Sequence, residues 1–154
     1  MSKHSILFVC LGNICRSPLA EAAFRARAQA AGIDVTIDSA GTGDWHIGRP
    51  PDDRAQAVAQ TNGIDISGYR GRQIAPADFR NFSHIFALDA QNLADLARVA
   101  PADGTAEVAL LLDLVGGMEG KSVADPYFGD DDGFDTTWDQ VDRAAQALVD
   151  RLSA

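Results

Sequence analysis

The stretch VCLGNICRSP, residues 9–18, sits between an apolar run, Ser5 to Val9 (SILFV), and an alanine-rich segment, Pro18 to Ala31 (PLAEAAFRARAQAA). The run is short, continuous and rich in strand formers, the pattern of a strand covered on both faces and therefore central in its sheet. The alanine-rich segment has no internal Gly or Pro, a Pro at its first helical position and Gly32 just past its end, which predicts a helix. VCLGNICRSP is then the turn from a central strand into a helix N-terminus. In open parallel sheets that turn lies where ligands bind, beyond the carboxyl ends of the strands.

Outward from this turn the chain alternates between strand and helix. Val35 to Asp38 reads as a second strand, Ser39 to Pro51 as a loop punctuated by Gly and Pro, and Asp52 to Asn62 as a helix stopped by Gly63. Phe82 to Leu88 (FSHIFAL) predicts a third strand and Ala90 to Val99 a helix ended by Pro101. Val108 to Val115 (VALLLDLV) predicts a fourth strand, with a helix left open because periodicity alone does not separate the two in so short a run. Gly116 to Gly133 reads as loop, and Phe134 to Leu152 carries a helical apolar stripe through Trp138, Val141, Ala145, Leu148, Val149 and Leu152. Alternating strands and helices define an α/β chain with a parallel, helix-covered sheet.

At 154 residues, one core and one domain over residues 1–154 are expected. No apolar stretch approaches the roughly 20 residues of a membrane span, and the first residues show no signal-peptide pattern, so a cytoplasmic protein is expected. Thiols stay reduced in that compartment, so Cys10 and Cys15 read as free, catalytic or redox-sensing. Residues 1–80 carry a net charge of +1 and residues 81–154 a net charge of -10. This balance excludes a general nucleic-acid surface but leaves room for a local anion site in the first half.

The turn has the chemistry for such a site. Gly12 can take positive φ and Asn13 tolerates it, so successive backbone N–H groups can converge into an anion nest. The helix end adds partial positive charge, and Arg16 a permanent bidentate fork for phosphate oxygens. The same groups favour a thiolate at Cys10, and the spacing Cys10-x5-Arg16-Ser17 seats this nucleophile under the oxyanion it would attack. Ser17 could donate to the sulfur and assist its departure. Each feature alone is ordinary turn or core chemistry; their combination at one strand-to-helix junction points to catalysis.

These residues resemble the phosphate-binding loop of the low-molecular-weight protein tyrosine phosphatases. The likeness continues in DSAGT at 38–42, IGRPPDDR at 47–54, GIDIS at 63–67, RQI at 72–74 and DPYFGDDDGF at 125–134. It implies a flavodoxin-like three-layer α/β/α fold with a four-stranded parallel sheet, and phosphomonoester hydrolysis through a phosphocysteine without metal or organic cofactor. It assigns Leu11, Gly12, Asn13, Ile14, Cys15, Arg16 and Ser17 to phosphate binding. Asn13, Ser17, Ser39 and Asp89 become supporting groups, with Ser39 expected to hydrogen-bond Asn13. The implied partner is a phosphotyrosine-containing protein or a small aryl phosphate, with neither nucleic acid nor membrane involved and a monomer expected.

A phenolate leaving group calls for a general acid. Asp125, stiffened by Pro126 and set in a long loop, is the candidate, and the resemblance places the family's acid in this Asp-Pro. Asp130, Asp131 and Asp132 read instead as a solvated acidic run. By the same resemblance Ile14, Trp45, Tyr127 and Phe128 wall the cleft around a phenyl ring. A bulky apolar residue at position 14 fits tyrosine phosphatases, whereas the related protein-arginine phosphatases have Thr there. The resemblance also suggests a reversible Cys10–Cys15 disulfide under peroxide; a plain core role for Cys15 stays equally open. The chain departs from the family at Ser67-Gly68-Tyr69, where a His is usual.

Competing readings are weaker. Arsenate reductases of similar architecture need further cysteines, and none follows Cys15. Gly116 to Ser122 lacks the spacing of a nucleotide-binding loop. A non-catalytic phosphotyrosine-binding module would need neither Cys10 nor Asp125. His4, His46 and His84 are scattered singly and read as surface or core residues rather than metal ligands.

Overall fold

The computed structural model describes residues 4–127 and 132–153. Its strands β1 (His4–Cys10), β2 (Val35–Gly41), β3 (His84–Ala87) and β4 (Glu107–Leu110) form one sheet in the order β2-β1-β3-β4. All three pairings are parallel, and β1 is central, with His4 to Cys10 opposite Val35 to Gly41 on one side and Ile6 to Val9 opposite His84 to Ala87 on the other. Among the described residues the helices are α1 (Arg16–Ala31), α2 (Asp53–Thr61), α3 (Asp78–Asn81), α4 (Ala90–Val99) and α5 (Asp132–Ser153).

The continuous apolar run of β1 feeds both faces of the sheet, as period-two alternation requires. Ile6, Phe8 and Cys10 enter a core shared with Leu19 and Phe24 of α1 and Val141 and Leu148 of α5. Leu7 and Val9 enter the opposite core with Phe79, Ile85 and Leu96. Phe8 meets Phe24 edge-on at 5.9 Å between ring centroids and stacks on Phe86 at 6.2 Å. Each such buried ring contributes about 1.5–3 kcal/mol through removal of apolar surface from water. Helices on both faces of a parallel sheet give the three-layer, flavodoxin-like arrangement the resemblance implies.

Several boundaries differ from the sequence reading. α1 begins at Arg16, so Pro18 is its third residue rather than its first. The missing N–H is harmless there, because the first four amides of a helix lack intrahelical acceptors. β2 runs on to Gly41, since Ser39, Ala40 and Gly41 stay paired with Phe8, Val9 and Cys10. The Val108–Val115 run divides, with strand through Leu110 and a 3-10 turn over Leu111–Leu114. The single-turn α3 is too short to leave a periodic signal and was not anticipated.

The chain leaves β1 toward β2 on one side and returns to β3 on the other. The carboxyl end of β1 is thus the point where strand order reverses and a crevice opens.

Candidate active site

Residues 10–16 wrap a pocket of about 140 Å³ at that point, lined by Cys10, Leu11, Gly12, Ile14, Cys15, Arg16, Trp45, His46, Asp125 and Tyr127. Cys10 ends β1 with its sulfur buried in the pocket floor. Its Sγ lies 3.0 Å from Ser17 Oγ and accepts from the backbone N–H of Asn13 at 3.3 Å. Asn13 makes the turn with φ 57°, and among the described residues no other non-glycine has positive φ. Asn tolerates that region because its short polar side chain bonds locally.

The Asn13 carboxamide makes three such bonds behind the pocket. Its Oδ1 accepts from the Arg72 amide at 3.0 Å, and its Nδ2 donates to Ser17 Oγ at 2.8 Å and Ser39 Oγ at 3.0 Å. Ser39 in turn donates to Glu21 Oε1 at 2.6 Å. Asn13 and Ser17 therefore back the loop, whereas the other loop positions named from the sequence line its cavity.

Arg16 is 4% exposed, and its guanidinium has three anchors. Nη1 donates to Asp89 Oδ2 at 2.7 Å and to the Val123 carbonyl at 3.2 Å, and Nη2 lies 3.5 Å from Asp125 Oδ2. Burial alone would lower its pKa, but the negative charges of Cys10, Asp89 and Asp125 outweigh it and hold the group firmly protonated. Asp89 serves two elements, since its other oxygen caps α4 through the Asn92 amide at 2.6 Å.

Asp125 stands half-exposed at the pocket mouth, with Oδ1 accepting from the Tyr127 amide at 3.1 Å. Helix α5 fixes the preceding residue: Gln140 accepts from the Ala124 amide at 2.9 Å and Thr137 donates to its carbonyl at 2.9 Å. Ile14, Trp45 and Tyr127 rim the pocket, Trp45 being 66% exposed. Phe128 lies outside the described residues. Cys15 is buried beside Cys10 and takes the position just before α1, without a capping bond from its side chain. Burial, followed by the charges of Asp52, Cys10 and Asp125, pushes its thiol up, so it stays protonated.

Three groups of residues escaped the sequence reading. His46, grouped there with the scattered histidines, lines the pocket; a Cβ at Gly12 would meet its ring at 3.0 Å. Its place next to Trp45 was the available signal. Asp52 and Arg54 tie the two halves of the mouth together. The Asp52 amide donates to the Ile14 carbonyl at 2.9 Å, its carboxylate pairs with Arg54 at 3.1 Å, and Arg54 donates to the Tyr127 carbonyl at 2.9 Å. The Arg54 guanidinium also lies 4.8 Å from the Phe134 ring centroid. Finally, Glu21 is buried on the alanine-rich face of α1 and paired with Arg25 at 2.8 Å. Tyr69, the residue at the departure from the family pattern, bonds Arg25 rather than the loop itself.

Fold and site together define a class: parallel α/β proteins that carry a loop bearing a cysteine and an arginine at the end of the central first strand. Residues 5–154 match the family described as low molecular weight phosphotyrosine protein phosphatase, and the chain belongs to that family of hydrolases. It is 45% identical over 145 residues to a protein of that name from Schizosaccharomyces pombe, covering 92% of each chain. Among solved structures it is similar to YfkJ from Bacillus subtilis, with TM-score 0.91 and 37% identity over 99% of this chain and 96% of the other. It is also similar to a Drosophila arginine phosphatase, with TM-score 0.91 and 32% identity over 97% of this chain and 98% of that one.

Proposed function

We propose that this chain hydrolyses phosphotyrosine monoesters in two steps through a phosphocysteine. Cys10 Sγ attacks phosphorus, forming an S–P bond as the bond to the tyrosine oxygen breaks. That oxygen takes the proton of Asp125, so a neutral phenol leaves. Asp125, now a carboxylate, takes a proton from a water whose oxygen bonds to phosphorus while the S–P bond breaks. Phosphate and the Cys10 thiolate are released, with Ser17 donating to the departing sulfur. Arg16 and the loop amides hold the equatorial oxygens throughout, where charge is spread in the transition state.

The observation that carries this reading is the arrangement around Arg16. One buried guanidinium stands between a nucleophilic sulfur on the pocket floor and, 3.5 Å away, a carboxylate at the mouth. A pocket walled by Ile14, Trp45 and Tyr127 suits an aromatic phosphate. The arginine-phosphatase relative raises phosphoarginine as a second substrate, against which Ile14 argues. The whole chain would act as one monomeric domain in the cytoplasm, on a phosphotyrosine protein or a small aryl phosphate. The burial of Cys15 beside Cys10 supports a reversible disulfide between them under peroxide, with a plain core role equally open.

The test is steady-state hydrolysis of an aryl phosphate, a phosphotyrosine peptide and a phosphoarginine peptide. Cys10→Ser should be inactive, and Asp125→Asn should lose roughly 10²- to 10⁴-fold in kcat, the usual contribution of an acid. Phosphotyrosine should be preferred to phosphoarginine. Substantial turnover by Cys10→Ser would reject the mechanism, and a preference for phosphoarginine would reject the substrate.

A further inference from the structure

Behind the loop, opposite the pocket, hydrogen bonds run from the nucleophile out to the half-buried side chain of Arg25. From the Arg72 amide to Glu21 their directions follow step by step. The Arg72 amide can only donate, so the Asn13 carboxamide presents Oδ1 to it and turns both Nδ2 hydrogens to the serines. Each serine oxygen then has an acceptor site filled, and its own hydrogen must go elsewhere. That of Ser39 goes to Glu21 Oε1, and that of Ser17 has Cys10 Sγ within reach at 3.0 Å. Glu21 accepts at both oxygens, the pattern of an ionised carboxylate, because Arg25 Nη2 holds Oε2 at 2.8 Å. Arg25 is fixed in turn by the Ile37 carbonyl at 3.2 Å and by the Tyr69 hydroxyl, over whose ring it also lies at 5.4 Å.

We propose that Arg25 and Tyr69 are positioning residues for the reaction: they lock Glu21 as an acceptor, and through Ser39 and Asn13 they keep the Ser17 hydroxyl aimed at Cys10 Sγ. The proposal rests on the phosphocysteine reading above. Its consequence falls on one step. The Ser17 hydrogen bond stabilises sulfur as a thiolate leaving group, so loosening the chain slows phosphoenzyme hydrolysis more than substrate binding. The charged groups that face Glu21 are Arg25 from its own helix, Asp38 from β2, and Tyr69 from the 63–71 loop. Arg25 supplies its hydrogen-bonding contact on the side away from Ser39, and the Tyr69 hydroxyl in turn accepts from Arg25.

The test uses the full chain and pre-steady-state hydrolysis of an aryl phosphate. Arg25→Met should lower kcat on the order of tenfold, the scale of weakening one hydrogen bond to a charged atom. The burst of phenol should keep its amplitude and rate, KM should fall together with kcat, and kcat/KM and inhibition by inorganic phosphate should change by less than about threefold. Arg25→Lys, which keeps the charge beside Glu21, should recover part of the loss. Tyr69→Phe, which keeps the ring, should give a smaller loss of the same kind if Arg25→Met folds poorly. Unchanged kcat in folded Arg25→Met or, failing that, in Tyr69→Phe, would overturn the proposal. So would a loss fully accounted for by a smaller folded fraction, or one that falls on kcat/KM and on the burst rate. A wild-type enzyme with no burst, or an active Cys10→Ser variant, would instead remove the phosphocysteine reading itself.

Discussion

Asp89 shows how much one side chain carries in this site. It holds the buried Arg16 guanidinium with one oxygen and caps α4 with the other. Asp89→Asn keeps an acceptor for the cap but removes the charge, so KM for an aryl phosphate should rise severalfold while the melting temperature falls little. Asp89→Ala loses the cap as well, at a further cost of about 1 kcal/mol. Kinetics and thermal melts of both variants separate the two roles, and identical melting temperatures would deny the cap. At this scale the sequence was most legible where residue types are chemically demanding. Cys10, Arg16 and Asp125 could be named as candidates because few other side chains can attack, clamp or protonate a phosphate ester, and the structure brings all three to one pocket. Glu21 and Arg25 could not, because a Glu and an Arg one helical turn apart occur on many exposed helix faces. Only the packing of α1 on β2 shows that this Glu is buried.

Helix α1 is the element that turns the loop into a site. Its N-terminal residues Cys15, Arg16 and Ser17 are themselves part of the pocket and its backing, and its far end is closed by Gly32 at φ 69°. The amides of Gly32 and Ile33 reach back to the carbonyls of Gln29 and Ala28. Nothing stands within 4 Å of where a Cβ at Gly32 would lie, so Gly32→Ala tests backbone conformation alone. It should cost about 1 kcal/mol, or roughly 2–4 °C in Tm for a chain of this size, with kcat and KM unchanged. A calorimetric scan checks it. Most elements were legible because apolar runs and glycine stops mark them. The exceptions are instructive: the end of β2 was set by pairing to β1, which local sequence does not encode. The Val108–Val115 run changes from strand to 3-10 turn within one continuous apolar stretch, where hydrophobicity carries no period.

For the whole molecule, Glu21 links stability to pH. Burial pushes its carboxyl above the ordinary value near 4.5, outweighing the opposing hydrogen bond from Ser39 and the charge of Arg25. A raised carboxyl pKa means that the folded state binds the proton more tightly than the unfolded chain. The resulting stabilisation is complete below the unfolded value and is lost as pH rises through the folded one. Wild type should therefore lose stability relative to Glu21→Gln as pH rises from about 4 through the acidic range, which a series of denaturant melts would show. A constant gap between the two would contradict it. The three-layer fold was foreseeable from alternation and from the resemblance, while the network that joins α1, β2 and the 63–71 loop behind Cys10 is a property of the assembled chain.

The central claim is a covalent phosphocysteine at residue 10, and rapid quenching tests it most directly. Aryl phosphate should be mixed with wild type and with Asp125→Asn, quenched within the first turnover, digested and read by mass spectrometry. The account predicts one phosphoryl group on the peptide containing Cys10, on its sulfur. It should persist longer in Asp125→Asn, which lacks the base for the second step, and be absent from Cys10→Ser. Turnover without any phosphorylated Cys10 peptide, or the phosphoryl group on another residue, would contradict it.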